Sequence, residues 1–175
     1  MALPLAACNS PQTGIGGPFS LVDQYGHPRD QTLLQGKWTA VFFGYTFCPD
    51  VCPTTLQTLG SAQPLLGDKA KDFQVVFITV DPARDTPGQL KDYLASASFP
   101  RGTIGLTGAV PQVAAAAAAY KVYFQKSGTG ANYSVDHSAV IYLMNPKGQF
   151  DSPIAFGLTP QQTRDQIVKA MQAST

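Results

Sequence analysis

Cys48 and Cys52 lie four residues apart in Cys48-Pro49-Asp50-Val51-Cys52, where an apolar segment gives way to helical spacing. Residues at i and i+4 of a first helical turn share one face, so the sulfurs are expected to meet in a disulfide or to converge on one ion. A helix N-terminus favours the thiolate, which serves redox attack and metal ligation equally. The pair alone leaves both chemistries open. Its spacing departs from the two intervening residues usual in a dithiol oxidoreductase, because Pro49, Asp50 and Val51 intervene here. Thiolates are soft donors suited to Cu(I), and mixed sulfur and imidazole sets suit copper or zinc. Inert packing is a poor account of proline-flanked cysteines at such a junction.

The chain has two histidines, His27 and His137. His27 lies between Gly26 and Pro28 in a turn context that assigns it no role. His137 precedes the apolar run Ala139 to Met144. Taken alone it reads as a hydrogen-bonded structural residue. The loop before that run, however, is where a strand–helix–strand domain returns opposite the cysteine junction. One imidazole and two thiolates would make a three-donor site, natural for Cu(I) and workable for Cu(II) with a further weak ligand, whereas structural zinc wants a fourth protein ligand. Asp136, next in line, is expected either to orient that loop behind the ligands or to be a solvated turn residue.

The elements that must position these groups are readable from pattern. Phe19 to Val22 reads as a short strand entering a turn. Trp38 to Tyr45 reads as a central, doubly covered strand, followed by a helix with Leu56, Leu59 and Leu66 among its apolar positions. Phe73 to Val80 is a second buried strand, and Thr86-Pro87 supplies a cap and a first-turn proline for a helix through Leu90 and Leu94. Ile104 to Leu106 reads as a strand, Val110 to Tyr120 as a helix and Ser127 to Gly130 as polar loop. Ala139 to Met144 reads as a third strong strand, turned at Asn145 to Gly148 into a return strand. Thr159-Pro160 starts the last helix, running through Ile167, Val168 and Met171. This order predicts an α/β domain over 18–175, with a mixed central sheet, helices on both faces and an N-terminal strand or hairpin extension, as in a thioredoxin-like fold.

The chain's 175 residues suit one domain. Charged residues make up only 13 % and the net charge is +1, which gives no footing for nucleic acid or an anionic membrane surface. No run approaches the roughly 18 apolar residues needed to span a bilayer. Leu5-Ala6-Ala7-Cys8 has the form of a lipobox, so residues 1–17 are expected to comprise a signal-peptide remnant, a lipid-attachment cysteine at Cys8 and a flexible linker. A chance cysteine in a disordered leader is the alternative.

The segment from Gly44 to Leu56 (Gly-Tyr-Thr-Phe-Cys-Pro-Asp-Val-Cys-Pro-Thr-Thr-Leu) resembles the signature of the Sco/SenC copper proteins. Val80 to Pro87, Asp136-His137-Ser138 and Asn145 to Gly148 agree with that family too. The resemblance implies one copper per chain, Cu(I) or Cu(II), held by Cys48, Cys52 and His137. It also implies a metallochaperone that serves the CuA site of cytochrome c oxidase, either delivering copper or reducing the site's cysteines with the Cys48/Cys52 pair. The oxidase subunit carrying CuA would be the partner, with another periplasmic copper chaperone or a thiol reductase as supplier. With the lipobox, it implies a bacterial envelope protein on the periplasmic side, attached to the membrane by its lipid alone. The resemblance places the Asp81 to Pro87 loop near the site, where Asp81 is expected to shape rather than ligate. A thiol–disulfide oxidoreductase with Cys48 as nucleophile is the alternative function. A peroxidase is disfavoured because Thr46-Phe47-Cys48 is one residue shorter than the peroxiredoxin pattern.

Overall fold

The structure is a computed structural model that describes residues 14–173. Chain order is β1 (Ser20–Asp23), β2 (Pro28–Asp30), β3 (Trp38–Gly44), α1 (Val51–Ala62), β4 (Phe73–Thr79), α2 (Pro87–Leu94), β5 (Ile104–Thr107), α3 (Val110–Ala119), β6 (Phe124–Ser127), β7 (Ser134–His137), β8 (Ile141–Met144), β9 (Phe150–Ile154) and α4 (Pro160–Ala173). Seven strands form one sheet in the order β2-β1-β5-β4-β3-β8-β9. β3, β4 and β5 run parallel to one another, and the remaining neighbours are antiparallel. This is the mixed thioredoxin-like sheet the element order implies, with the β1–β2 hairpin as its extension.

β3 is buried along its whole length because it has a strand on each edge and helices over both faces. Its side chains alternate between those faces. Phe42 and Gly44 share the face on which α1 sits, and a Cβ on Gly44 would stand 2.7 Å from Cys52 Sγ. Phe43 points the other way, onto Tyr120 at the end of α3, with ring centroids 5.3 Å apart. The helix starts behave as expected. Thr86 Oγ1 accepts the Gln89 N–H at 3.2 Å, and Thr159 and Gln162 cap α4 reciprocally.

Three expectations need correction. α1 begins at Val51, so Cys48 lies before the helix rather than on its first turn. α1 ends at Ala62, and Leu66 falls in the 3-10 stretch Gln63–Asp72, since Pro64 cannot continue the hydrogen-bond ladder and Gly67 turns the chain at φ 57°. The stretch before β8 is not loop. It folds into a two-stranded hairpin, β6–β7, with Phe124 opposite His137 and Ser127 opposite Ser134. β6 is mostly exposed, so it carries no apolar alternation to betray it. His137 is therefore the last residue of a strand.

Cys8 and the lipobox lie outside the described residues. The end of the expected linker packs against the domain, where Ile15 is half-buried on the core and the Gly16 N–H donates to the Ala119 carbonyl at 2.9 Å.

α1 passes so close to the turn after α2 that a Cβ on Gly60 would stand 2.2 Å from the Ser98 carbonyl oxygen. Backbone cannot yield as a flexible side chain does. Gly60→Ala is expected to destabilise the fold by about 2 kcal/mol or more, read as a melting temperature lower by roughly 5 °C. An unchanged melting temperature would show that α1 and this turn are not locked together.

Candidate metal centre

Each donor is placed by a different local device. Cys52 sits in the first turn of α1 and is fully buried; it fits beneath β3 because residue 44 has no side chain. Cys48 lies two residues before the N-cap Asp50, whose side chain makes no capping bond. The Cys48 sulfur takes over that duty and accepts the Cys52 backbone N–H at 3.4 Å. This satisfies one of the donors that every helix N-terminus leaves unpaired. His137 arrives from β7 and lies edge-on to Phe42 and Tyr45, with ring centroids at 6.2 and 5.9 Å.

The imidazole is oriented by its own backbone. Its Nδ1 is 3.0 Å from the Ser138 carbonyl oxygen. A carbonyl only accepts, so Nδ1 carries the proton and Nε2 presents a bare lone pair. That Nε2 lies 3.3 Å from Cys52 Sγ. The three donor atoms of Cys48, Cys52 and His137 all lie within 4.8 Å of one another. Among the described residues no carboxylate joins this group. The set is two soft sulfurs and one neutral imidazole, which fits a three-coordinate soft ion better than a hard one.

The two thiols are unequal. The hydrogen bond with Cys52 is the foremost influence on Cys48 and lowers its pKa to about 3, against the opposing effect of burial; the backbone N–H groups of Cys52 and Asp50 add to the lowering. Cys52 is pushed up, first by that same bond to Cys48, then by burial and by the Cys48 charge. The half-buried sulfur is the thiolate and the buried one keeps its proton.

Asp81 is buried and does not reach the donors. Its carboxylate accepts from Arg84 Nε and from the Tyr133 hydroxyl at 2.6 Å, a role of shaping the loop. Asp136 is exposed and paired across the hairpin with Gln125, on the strand face opposite that of Val135 and His137. The structure does not bring it to the site.

Residues that carry no signal in the sequence complete the surroundings. Asp85 is fully buried and accepts three hydrogen bonds: Thr46 N–H at 3.0 Å, Thr46 Oγ1 at 2.7 Å and Thr79 Oγ1 at 2.7 Å. Burial raises its pKa despite these donors. It ties the turn leading to Cys48 to the end of β4. The Tyr45 hydroxyl accepts the Val135 N–H at 3.2 Å and so docks the strand that carries His137. A lone aspartate and a lone tyrosine carry no such signal, because Thr46 lies 39 positions from Asp85 and Val135 lies 90 from Tyr45.

The sequence model of the SCO1/SenC family matches residues 8–172. Protein SCO1 of the mitochondria of Saccharomyces cerevisiae is 39 % identical over 163 residues, which cover 91 % of this chain and 55 % of that protein. The chain spans about half the length of the first curated relatives it matches. The structure of Bradyrhizobium japonicum ScoI with copper bound is 41 % identical, with a TM-score of 0.81 over 89 % of this chain and 99 % of that one. Arabidopsis thaliana ScoI with copper bound is 38 % identical, with a TM-score of 0.85 over 91 % and 99 %.

A thiol whose pKa is lowered to about 3 is ionised at every pH above that value. Alkylation of Cys48 in the reduced, metal-free protein should therefore proceed at a rate nearly flat between about pH 5 and pH 7. Mass spectrometry should find Cys52 unmodified over the same interval. A Cys48 rate that climbs about tenfold per pH step towards pH 8, as for an ordinary thiol, would show that the sulfur is not held as thiolate.

Proposed function

The chain belongs to the SCO1/SenC family, and from that premise we propose that it is a copper metallochaperone. It binds one copper through Cys48 Sγ, Cys52 Sγ and His137 Nε2 and passes it to the CuA site of a cytochrome c oxidase subunit. The observation that carries this reading is the convergence of the three donor atoms within 4.8 Å. The relatives with copper bound support the choice of metal. Only one thiol has to lose a proton when copper enters, because Cys48 is already ionised. Two sulfurs come from one helix end and the nitrogen from a separate hairpin. Displacing the hairpin lowers the coordination number without unfolding the domain, which suits a protein that must also let go.

The asymmetry of the two thiols favours a second reading, reduction of a partner's disulfide. The Cys48 thiolate would attack one partner sulfur, form a mixed disulfide and release the other partner sulfur as thiolate. Cys52, losing its proton, would then attack Cys48 Sγ, closing a Cys48–Cys52 disulfide and leaving the partner as a dithiol. Both activities serve the same target, whose cysteines must be reduced before they take copper.

Cys8 in Leu5-Ala6-Ala7-Cys8 supports attachment to the cell envelope by a lipid on the periplasmic side. No helix of the described residues is long and apolar enough to cross a membrane.

Anaerobic titration with Cu(I) should saturate at about one equivalent per chain. His137→Ala should weaken binding by more than about a hundredfold, beyond what the loss of a supporting contact costs. Stoichiometric binding that survives in the double variant Cys48→Ser, Cys52→Ser would end the copper reading. Disulfide reduction undiminished in His137→Ala, alongside lost copper transfer, would assign the dithiol its separate role.

A further inference from the structure

The donors come from two segments that share no ladder. The cysteines belong to β3, its turn and α1, whereas β6 and β7 pair only with each other. Something must hold the hairpin against the turn. Arg84 belongs to neither segment and touches both. Its guanidinium carbon is 3.6 Å from the ring centroid of Tyr133, four residues before His137, and 4.7 Å from that of Phe47, beside Cys48. Its Nη1 donates to the Tyr133 carbonyl at 3.1 Å and to the Ala131 carbonyl at 3.4 Å, both on the hairpin's turn. Its Nε is fixed by Asp81, and Asp81 in turn accepts the Tyr133 hydroxyl.

A solvated ion pair that only shapes the 81–86 turn would have no reason to stack on rings from two other elements. The Arg84 side chain is 16 % exposed, so most of its length is spent on these contacts. A planar guanidinium supplies ring contact and directed N–H groups together, and an ammonium keeps only the charge.

We propose that Arg84 is a positioning residue that clamps the His137 hairpin to the Cys48 turn, and that the opening of this clamp sets how fast the bound metal is surrendered. The second half rests on the copper reading above; the first half does not.

The test compares wild type, Arg84→Lys and Tyr133→Phe. Amide hydrogen exchange is measured on the metal-free proteins, and loss of Cu(I) to a small chelator on the loaded ones. Arg84→Lys keeps the charge and should fold normally, with exchange across β4 at the wild-type rate. Its exchange over residues 124–137 should be faster by about tenfold, and copper should be stripped faster by a similar factor. Tyr133→Phe keeps the ring and loses only the hydroxyl to Asp81, so both readouts should move the same way by less. Hairpin exchange at the wild-type rate in Arg84→Lys would overturn the clamp. A loosened hairpin with an unchanged stripping rate would overturn its control of release. A wild type that takes up no copper ends the metallochaperone reading, and the exchange data still decide whether Arg84 clamps the hairpin.

Discussion

The 3.3 Å approach of His137 Nε2 to Cys52 Sγ joins the start of α1 to the end of a hairpin that pairs with no strand of the main sheet. Much of the surrounding structure serves that approach. Gly44 leaves room for the sulfur beneath β3, and any side chain there would occupy its place. The Ser138 carbonyl fixes the tautomer that aims a lone pair at it. Tyr45 docks the adjacent strand by its hydroxyl and flanks the imidazole with its ring. Asp85, a buried carboxylate answered by three donors, anchors the turn from which Cys48 is presented. A buried charge with so many partners is costly to disturb from any side, which makes the turn a rigid platform against which the hairpin is held by Tyr45 and Arg84.

The inequality of the sulfurs follows from where the helix starts. With Cys48 outside α1, its sulfur faces the helix N-terminus and collects an N–H donor, and with Cys52 inside, its sulfur is buried under the sheet. One residue is thereby accessible and charged, the other enclosed and neutral. That polarity suits an incoming soft cation, which meets the thiolate first and displaces a proton from the second sulfur as it settles.

The parts of the fold legible in the sequence are those that bury apolar surface. β3 and β4 are apolar runs of strand length, and Thr86-Pro87 and Thr159-Pro160 announce their helices through local chemistry. The cysteine pair was visible by spacing. His137 is legible through topology and family resemblance, not through its neighbours. Two things stayed hidden. β6–β7 is a half-exposed ribbon without apolar alternation, so the strand carrying His137 read as loop. Asp85, Arg84 and Tyr133 act on residues some 40 to 50 positions away, and spacing along a sequence carries no trace of such contacts. Asp136 illustrates the reverse: adjacent to His137 in sequence, it lies on the opposite face of the strand.

The most direct measurement is X-ray absorption at the copper edge on the Cu(I)-loaded protein and on its His137→Ala variant. Two sulfur scatterers and one imidazole nitrogen are expected in the wild type, with the imidazole signature gone and both sulfurs kept in the variant. A wild-type spectrum with sulfur scatterers alone, or one that the His137 substitution leaves unchanged, would contradict a centre built from one helix start and one distant hairpin.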